Sequence, residues 1–441
     1  MGGAPVREPA WWEVAAAVIV LVMLSGAIIG PVFARGATGE TPLLRVVWLP
    51  VYAIILGLLA TRLKEVLRLW PTLLIAMLLV GLAFASKWWS LAPDVTVRRV
   101  MALFFTSLFA VWLAATFPGR RLPVLLAWTG LFMGIGALLF VFGWPAVGVH
   151  HEANAGLWRG MWSEKNQMGW VMTGSAVAAA AVIASPGKGR EMAVVSWLLS
   201  VLLVLGTQSK TSLLCLIGAT ALIGGLWILR KVPPALTVAG VWLGVIVAGA
   251  IVAVAIYDSG LILQALGKDP TLTGRTQIWD ALFRQSALRP WTGYGYSAFW
   301  GSHSTPANYI RLETQWVVPS AHNGWMEILV ELGRIGIAAI GFTVAMTVLG
   351  TLTRLGGTGR QEGFWAMGYL VAYLILSFSE SILMRHQSLP WVLFLVASAR
   401  IWAPVEIMAP LRDGRSVRQI LKAQRPKASR SPGLAPRPRP A

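Results

Sequence analysis

The chain is written mostly in apolar runs of about 20 residues, separated by short polar connections. As helices, runs of that length cover a bilayer core of roughly 30 Å. No run alternates at period two, so closed strands are not expected, and helices must satisfy the backbone within lipid. The pattern predicts an all-α, polytopic membrane protein of about 12 spans. They fall at 12–33, 43–61, 69–86, 99–117, 122–142, 167–185, 192–207, 211–229, 233–256, 334–353, 363–379 and 388–403. The first run exceeds the apolar core of a secretory signal and only Arg7 precedes it, so it is expected to remain as an anchor.

One interval breaks this rhythm. Residues 257–321 form a polar, aromatic-rich loop between the ninth and tenth expected spans. A bundle of spans needs only short turns, and a long loop with fixed cations more often carries function than connection. The expected division is therefore a helical membrane domain over 1–409, with 257–321 inserted as a catalytic loop. A basic disordered tail follows over 410–441.

Composition agrees with a membrane chain, with 56% hydrophobic and 12% charged residues. The net charge of +19 does not point to nucleic acid, because no folded reading module accompanies it. Nine basic residues lie between Arg412 and Arg439, beside Pro, Ser and Gly, a composition suited to anionic lipid head groups. The single cysteine, Cys215, excludes an internal disulfide.

Charge also orients the chain. With the N-terminus inside, five short connections carry paired bases on the cytoplasmic side: Arg62/Lys64/Arg68, Arg120/Arg121, Lys188/Arg190, Arg230/Lys231 and Arg354/Arg360. The tail joins them, so both termini are expected in the cytoplasm. One outward connection, with Lys87, Arg98 and Arg99, breaks the rule. Loops 143–166, 207–211, 257–321 and 380–387 then share the outer face, and with them every polar cluster suited to chemistry.

Lys210 lies in the break Thr207-Gln208-Ser209-Lys210-Thr211-Ser212. It is either a snorkelling lysine at a hairpin or a cation facing a polar partner, and its depth favours the second. Arg275 opens an expected amphipathic helix with Ile278, Trp279, Leu282 and Phe283 on one face. Its planar fork suits phosphate, although an ordinary interfacial arginine fits equally well. Trp291, Tyr294, Tyr296, Phe299 and Trp300 crowd beside Gly293 and Gly295, as membrane-belt residues or as rings that stack on sugars. His322 precedes Asn323, a natural helix cap, and is either a neighbour of that cap or an imidazole placed to accept a proton. Glu327 and Glu331 follow one and two turns later, at least one facing the interior. No His/Cys spacing suggests zinc.

The order of these segments resembles a known family. Ser209-Lys210-Thr211, Thr273-Gly274-Arg275-Thr276 with Trp279, Arg289-Pro290 with Gly293 and Gly295, and His322-Asn323 with Glu331-Leu332-Gly333 resemble the O-antigen ligase and polysaccharide polymerase superfamily. Arg159-Gly160 followed by Glu164-Lys165-Asn166 and Gly169 is most similar to its exopolysaccharide-polymerase branch. The resemblance covers roughly residues 155–390. It implies cofactor-free, metal-independent glycosyl transfer at the periplasmic face of a bacterial inner membrane. The donor is a polyprenyl-diphosphate-linked oligosaccharide, and the acceptor a glycan or lipid A core hydroxyl. Lys210 and Arg275 would hold the diphosphate and His322 would activate the acceptor. Arg159, Lys165, Arg289, Tyr294, Tyr296, Glu380 and Arg385 are the expected substrate contacts. Position 210 is lysine where ligases commonly have arginine, which favours polymerase over ligase. The alternative outside enzymology is a lipid-glycan transporter or flippase, but polar groups gather on one face and the halves look unlike, against that reading.

Overall fold

Apolar runs in lipid have one economical solution, the helix, and the computed structural model takes it across the described residues. It describes residues 7–27, 42–151, 154–229, 275–355 and 360–402. Among these there is no extended strand, only an isolated antiparallel bridge between Val149 and Trp158.

Seven described helices are long and apolar enough to cross a membrane: Trp70–Trp88, Pro93–Thr116, Arg121–Gly143, Lys165–Ala184, Arg190–Thr207, Lys210–Leu229 and Gly324–Thr353. Four shorter apolar helices, Trp11–Leu24, Val46–Thr61, Gly363–Ser377 and Leu389–Ile401, stand where further spans are expected. The ninth expected span, 233–256, lies outside the described residues, as do 257–274 and the tail from 410.

The helix Lys165–Ala184 is the hub. It packs against Arg121–Leu138, Arg190–Thr207, Lys210–Leu229 and Arg360–Ser377. Its face of Ala176, Ala178, Ala179 and Ala181 is buried, and small side chains let neighbouring backbones approach closely in lipid. At its first turn a Cβ on Gly169 would lie 2.4 Å from Ser212 Oγ, so the two helices cross closely there. Thr173 Oγ1 also donates to the Ser212 carbonyl at 3.2 Å. This close crossing sets the start of the hub helix beside the start of Lys210–Leu229.

Charged side chains gather toward the two ends of the bundle. At one end Arg62, buried, grips both carboxylate oxygens of Glu13 at 2.7 and 2.6 Å, and donates to the Arg7 and Glu8 carbonyls. Arg120 donates to the Lys188 carbonyl and Arg400 to those of Phe117 and Gly119. The expected basic connections around Arg62, Arg120/Arg121 and Lys188/Arg190 therefore gather together. The described part of the long loop, 275–323, caps the opposite end. There the exceptional bases are engaged: Lys87 lies over the Phe84 and Trp88 rings, and Arg99 donates to the Ser297 carbonyl at 2.5 Å.

The capping loop is locked into a broken helix. Gly333, at φ 65° and ψ −161°, interrupts Gly324–Leu355. The break frees backbone groups, which must find partners. Val330 and Glu331 carbonyls accept from Tyr294 and Gly295 amides at 2.8 and 2.9 Å, and the Arg334 amide donates to the Pro290 carbonyl at 2.9 Å. A Cβ on Gly293 would lie 2.6 Å from the Glu331 backbone, and one on Gly333 2.3 Å from that of Trp291.

Candidate active site

Arg275 is the first residue of the helix Arg275–Leu288. That helix buries Ile278, Ala281, Leu282 and Ser286, whereas Phe283 is 50% exposed. The expected apolar face was thus rotated by part of a turn, because Ala281 is the residue that meets the loop core. Trp279 Nε1 donates to the Ala321 carbonyl at 3.0 Å, fixing the helix against the loop end. Arg275 then reaches the turn between the last two helices, where Nη1 donates to the Ser379 carbonyl at 2.9 Å. Its Nη2 lies 4.0 Å from Glu380 Oε1, which also accepts from Asn166 Nδ2 at 3.1 Å. Burial pushes the Glu380 carboxyl upward, with Arg275, Arg385 and the Asn166 hydrogen bond opposing it.

His322 sits in left-handed backbone, φ 48°, immediately before the helix that Asn323 caps. Asn323 Oδ1 accepts from the Trp325 and Met326 amides at 2.9 and 3.2 Å, as expected of a cap. The His322 ring stacks on Trp316, with centroids 5.7 Å apart and planes 11° from parallel. Its Nε2 is buried and has no hydrogen-bond partner among the described residues. Burial, and then the positive charges of Arg275 and Arg385, push the imidazole down to about 4. At neutral pH the ring is uncharged.

Lys165 and Lys210 each open a helix, and the crossing at Gly169 holds them within electrostatic reach of one another. Asn166, beside Lys165, joins this pair to Glu380 and so to Arg275. Arg159 lies on the same flank, its Nε held by the Val147 carbonyl at 2.8 Å, close enough to act on Glu164 and His150. Burial leads in depressing His150, with Arg159 and Lys165 adding to it. Arg385 has an exposed side chain and acts on both His322 and Glu380. The helices beginning at Lys165, Lys210, Arg275 and Gly324 all start at this end, and helix N-termini carry partial positive charge. The assembled surface suits an anion of several charges. No group of three or more His, Cys, Asp and Glu side chains gathers as metal ligands among the described residues.

Comparison with known proteins fits this arrangement. A family model described as O-Antigen ligase matches residues 195–341, a range holding Lys210, Arg275 and His322 but neither Lys165 nor the Glu380 turn. Exopolysaccharide production protein ExoQ of Rhizobium meliloti (strain 1021) is 29% identical over 323 residues, covering 70% of this chain and 72% of the relative. The chain is similar to the O-antigen ligases and polysaccharide polymerases. Within that superfamily's motifs, the structure divides two kinds of residue. Lys210, Arg275, His322, Lys165, Arg159, Glu380 and Arg385 come together around one polar region. Arg289 and Tyr294 do not, and Tyr296 lies beside Arg385 but is itself buried. Arg289 donates to the Trp89 carbonyl at 3.0 Å and lies over the Tyr294 ring. The Tyr294 hydroxyl donates to the Gln285 carbonyl at 2.9 Å, and that of Tyr296 to Met384 at 2.6 Å, with both rings buried. These three tie the loop to the bundle and offer no free ring face to a sugar.

Sequence reasoning passed over two groups here. Trp316 was unmarked because a lone tryptophan in a polar loop has no periodicity. Glu327 was expected only as one of two carboxylates, with Glu331, of which at least one faces the interior, and its partners are revealed by folding alone.

Proposed function

We propose that this chain transfers a glycan from a polyprenyl diphosphate to the hydroxyl of a glycan acceptor at the outer face of a bacterial inner membrane, extending a polysaccharide. The observation that supports this most is the gathering of Arg275 and Arg385 beside His322, with Lys210 linked to them through Lys165 and the Asn166–Glu380 hydrogen bond, at the end of the bundle opposite the basic connections. Fixed cations aimed at a leaving diphosphate stabilise the charge it gains as the glycosidic bond breaks. Arg275 and Arg385, with Lys165 and Lys210 alongside, supply that charge. Likeness to an exopolysaccharide production protein supports polymerisation over transfer to lipid A core.

In the proposed step the acceptor oxygen attacks the anomeric carbon. The bond from that carbon to the diphosphate oxygen breaks, and its electron pair leaves with the polyprenyl diphosphate. The acceptor hydroxyl proton passes to His322 Nε2. A neutral imidazole depressed to about 4 is a weak base while two guanidiniums face it. A bound diphosphate neutralises those guanidiniums, so donor binding raises the basicity of His322 when the proton must move.

The test is chain extension by purified protein in vesicles with a lipid-linked oligosaccharide. Arg275→Ala and His322→Ala are each expected to lower extension at least about 100-fold, the scale of losing an oxyanion-type donor or a general base, at unchanged membrane abundance. Normal product lengths in both variants would remove the assignment. Transfer only to lipid A core would make the chain a ligase, and passage of unaltered donor across the vesicle would make it a transporter.

A further inference from the structure

Three site-bearing segments are joined through two neighbouring groups, the Ala321 backbone and the Glu327 carboxylate. Its carbonyl accepts from Trp279 Nε1, on the helix that begins with Arg275. Its amide donates to Glu327 Oε2 at 2.8 Å, one residue before His322. The same carboxylate oxygen accepts from Ser381 Oγ at 2.9 Å, on the turn that carries Glu380 and Arg385.

We propose that Glu327 is the positioning residue of this site, acting as a two-donor acceptor that fixes His322 relative to Arg275 and the Glu380 turn. A left-handed, non-glycine His322 is not held by its own backbone preference, so a neighbour must over-determine it. Ala321 is pinned on both its polar atoms, which leaves the next residue little freedom. Ser381 held by the same oxygen sets the spacing between Glu380 and the imidazole. Glu327 itself reaches no reacting atom in this arrangement, and acts through Ala321 and Ser381. Its effect on turnover rests on the function proposed above, whereas its effect on the shape of the loop does not.

The experiment therefore reads the loop directly. Full-length protein in vesicles is treated with diethyl pyrocarbonate at pH 7, and labelling of His322 is followed by peptide mass mapping against the other four histidines. Loss of a buried hydrogen-bonded acceptor frees the loop, so Glu327→Ala is expected to speed labelling of His322 by about tenfold. Glu327→Gln keeps an acceptor oxygen and is expected to stay within about twofold of the native rate. Trp279→Phe, which removes the other hold on Ala321, should show a smaller increase and combine non-additively with Glu327→Ala. In chain extension, Glu327→Ala should lower kcat with little change in donor KM, and Glu327→Gln should restore it. Unchanged labelling in folded Glu327→Ala, additivity with Trp279→Phe, or a Gln variant as impaired as Ala would each overturn the proposal. Faster labelling without any extension activity in the native protein would leave the junction standing and remove only the polymerase reading.

Discussion

His322 carries the sharpest consequence at the scale of single residues. Its depressed imidazole takes up a proton only well below the usual histidine range. The neutral form needed to accept a proton is present above the folded value and lost as pH falls through it. The acid limb of kcat/KM should therefore lie near about 4 in the free protein instead of near 6.5. Arg385 is one of two cations opposing protonation, so Arg385→Gln should shift that limb toward higher pH. A limb at 6.5 in the native protein would show that the His322 imidazole is not depressed or is not the base. Arg275, Lys210 and His322 were conspicuous in the sequence, since they stand in segments that resemble those of the family. Their partners were not. Asn166 reaches Glu380 across 214 positions and Glu327 reaches Ser381 across 54, separations no local pattern encodes.

Among elements, the broken helix and the loop threaded against it decide how the site is held. Residues that look like an aromatic binding surface, Tyr294 and Tyr296, are tethers, because their hydroxyls are spent on backbone carbonyls and their rings are buried. The glycines beside them serve close approach. Replacing Gly333 by Ala places a Cβ 2.3 Å from the Trp291 backbone at a φ of 65°. The left-handed backbone alone costs about 1–3 kcal/mol, and the overlap adds to it. Gly333→Ala should lower the melting temperature in detergent and reduce membrane abundance, seen by fluorescence-detected size exclusion. An unaltered melting curve would show that the loop yields at no cost. Helix positions were readable from apolar run length, and the Asn323 cap from its residue type. Rotation of the Arg275 helix was not readable, since Ala281 and Phe283 exchange roles only once the loop core is present.

Across the whole molecule, the bundle separates two polar ends, and the proposed chemistry requires the loop end to face outward. Ser302 and Lys188 are exposed at opposite ends, and the native Cys215 is buried. Ser302→Cys should react with a membrane-impermeant maleimide in spheroplasts, whereas Lys188→Cys should react only after permeabilisation. The reverse pattern would put the site on the cytoplasmic side and remove the proposed donor. Composition and run length by themselves determined an all-helical membrane chain, because lipid leaves the backbone no other economical partner. They also located the cations, because charge in such a chain is rare enough to be conspicuous. Only the tertiary structure decided which of those cations share a space. Convergence depends on the close crossing at Gly169, the threaded break at Gly333 and the hold of Trp279 on Ala321, and each is a contact between segments far apart in the chain.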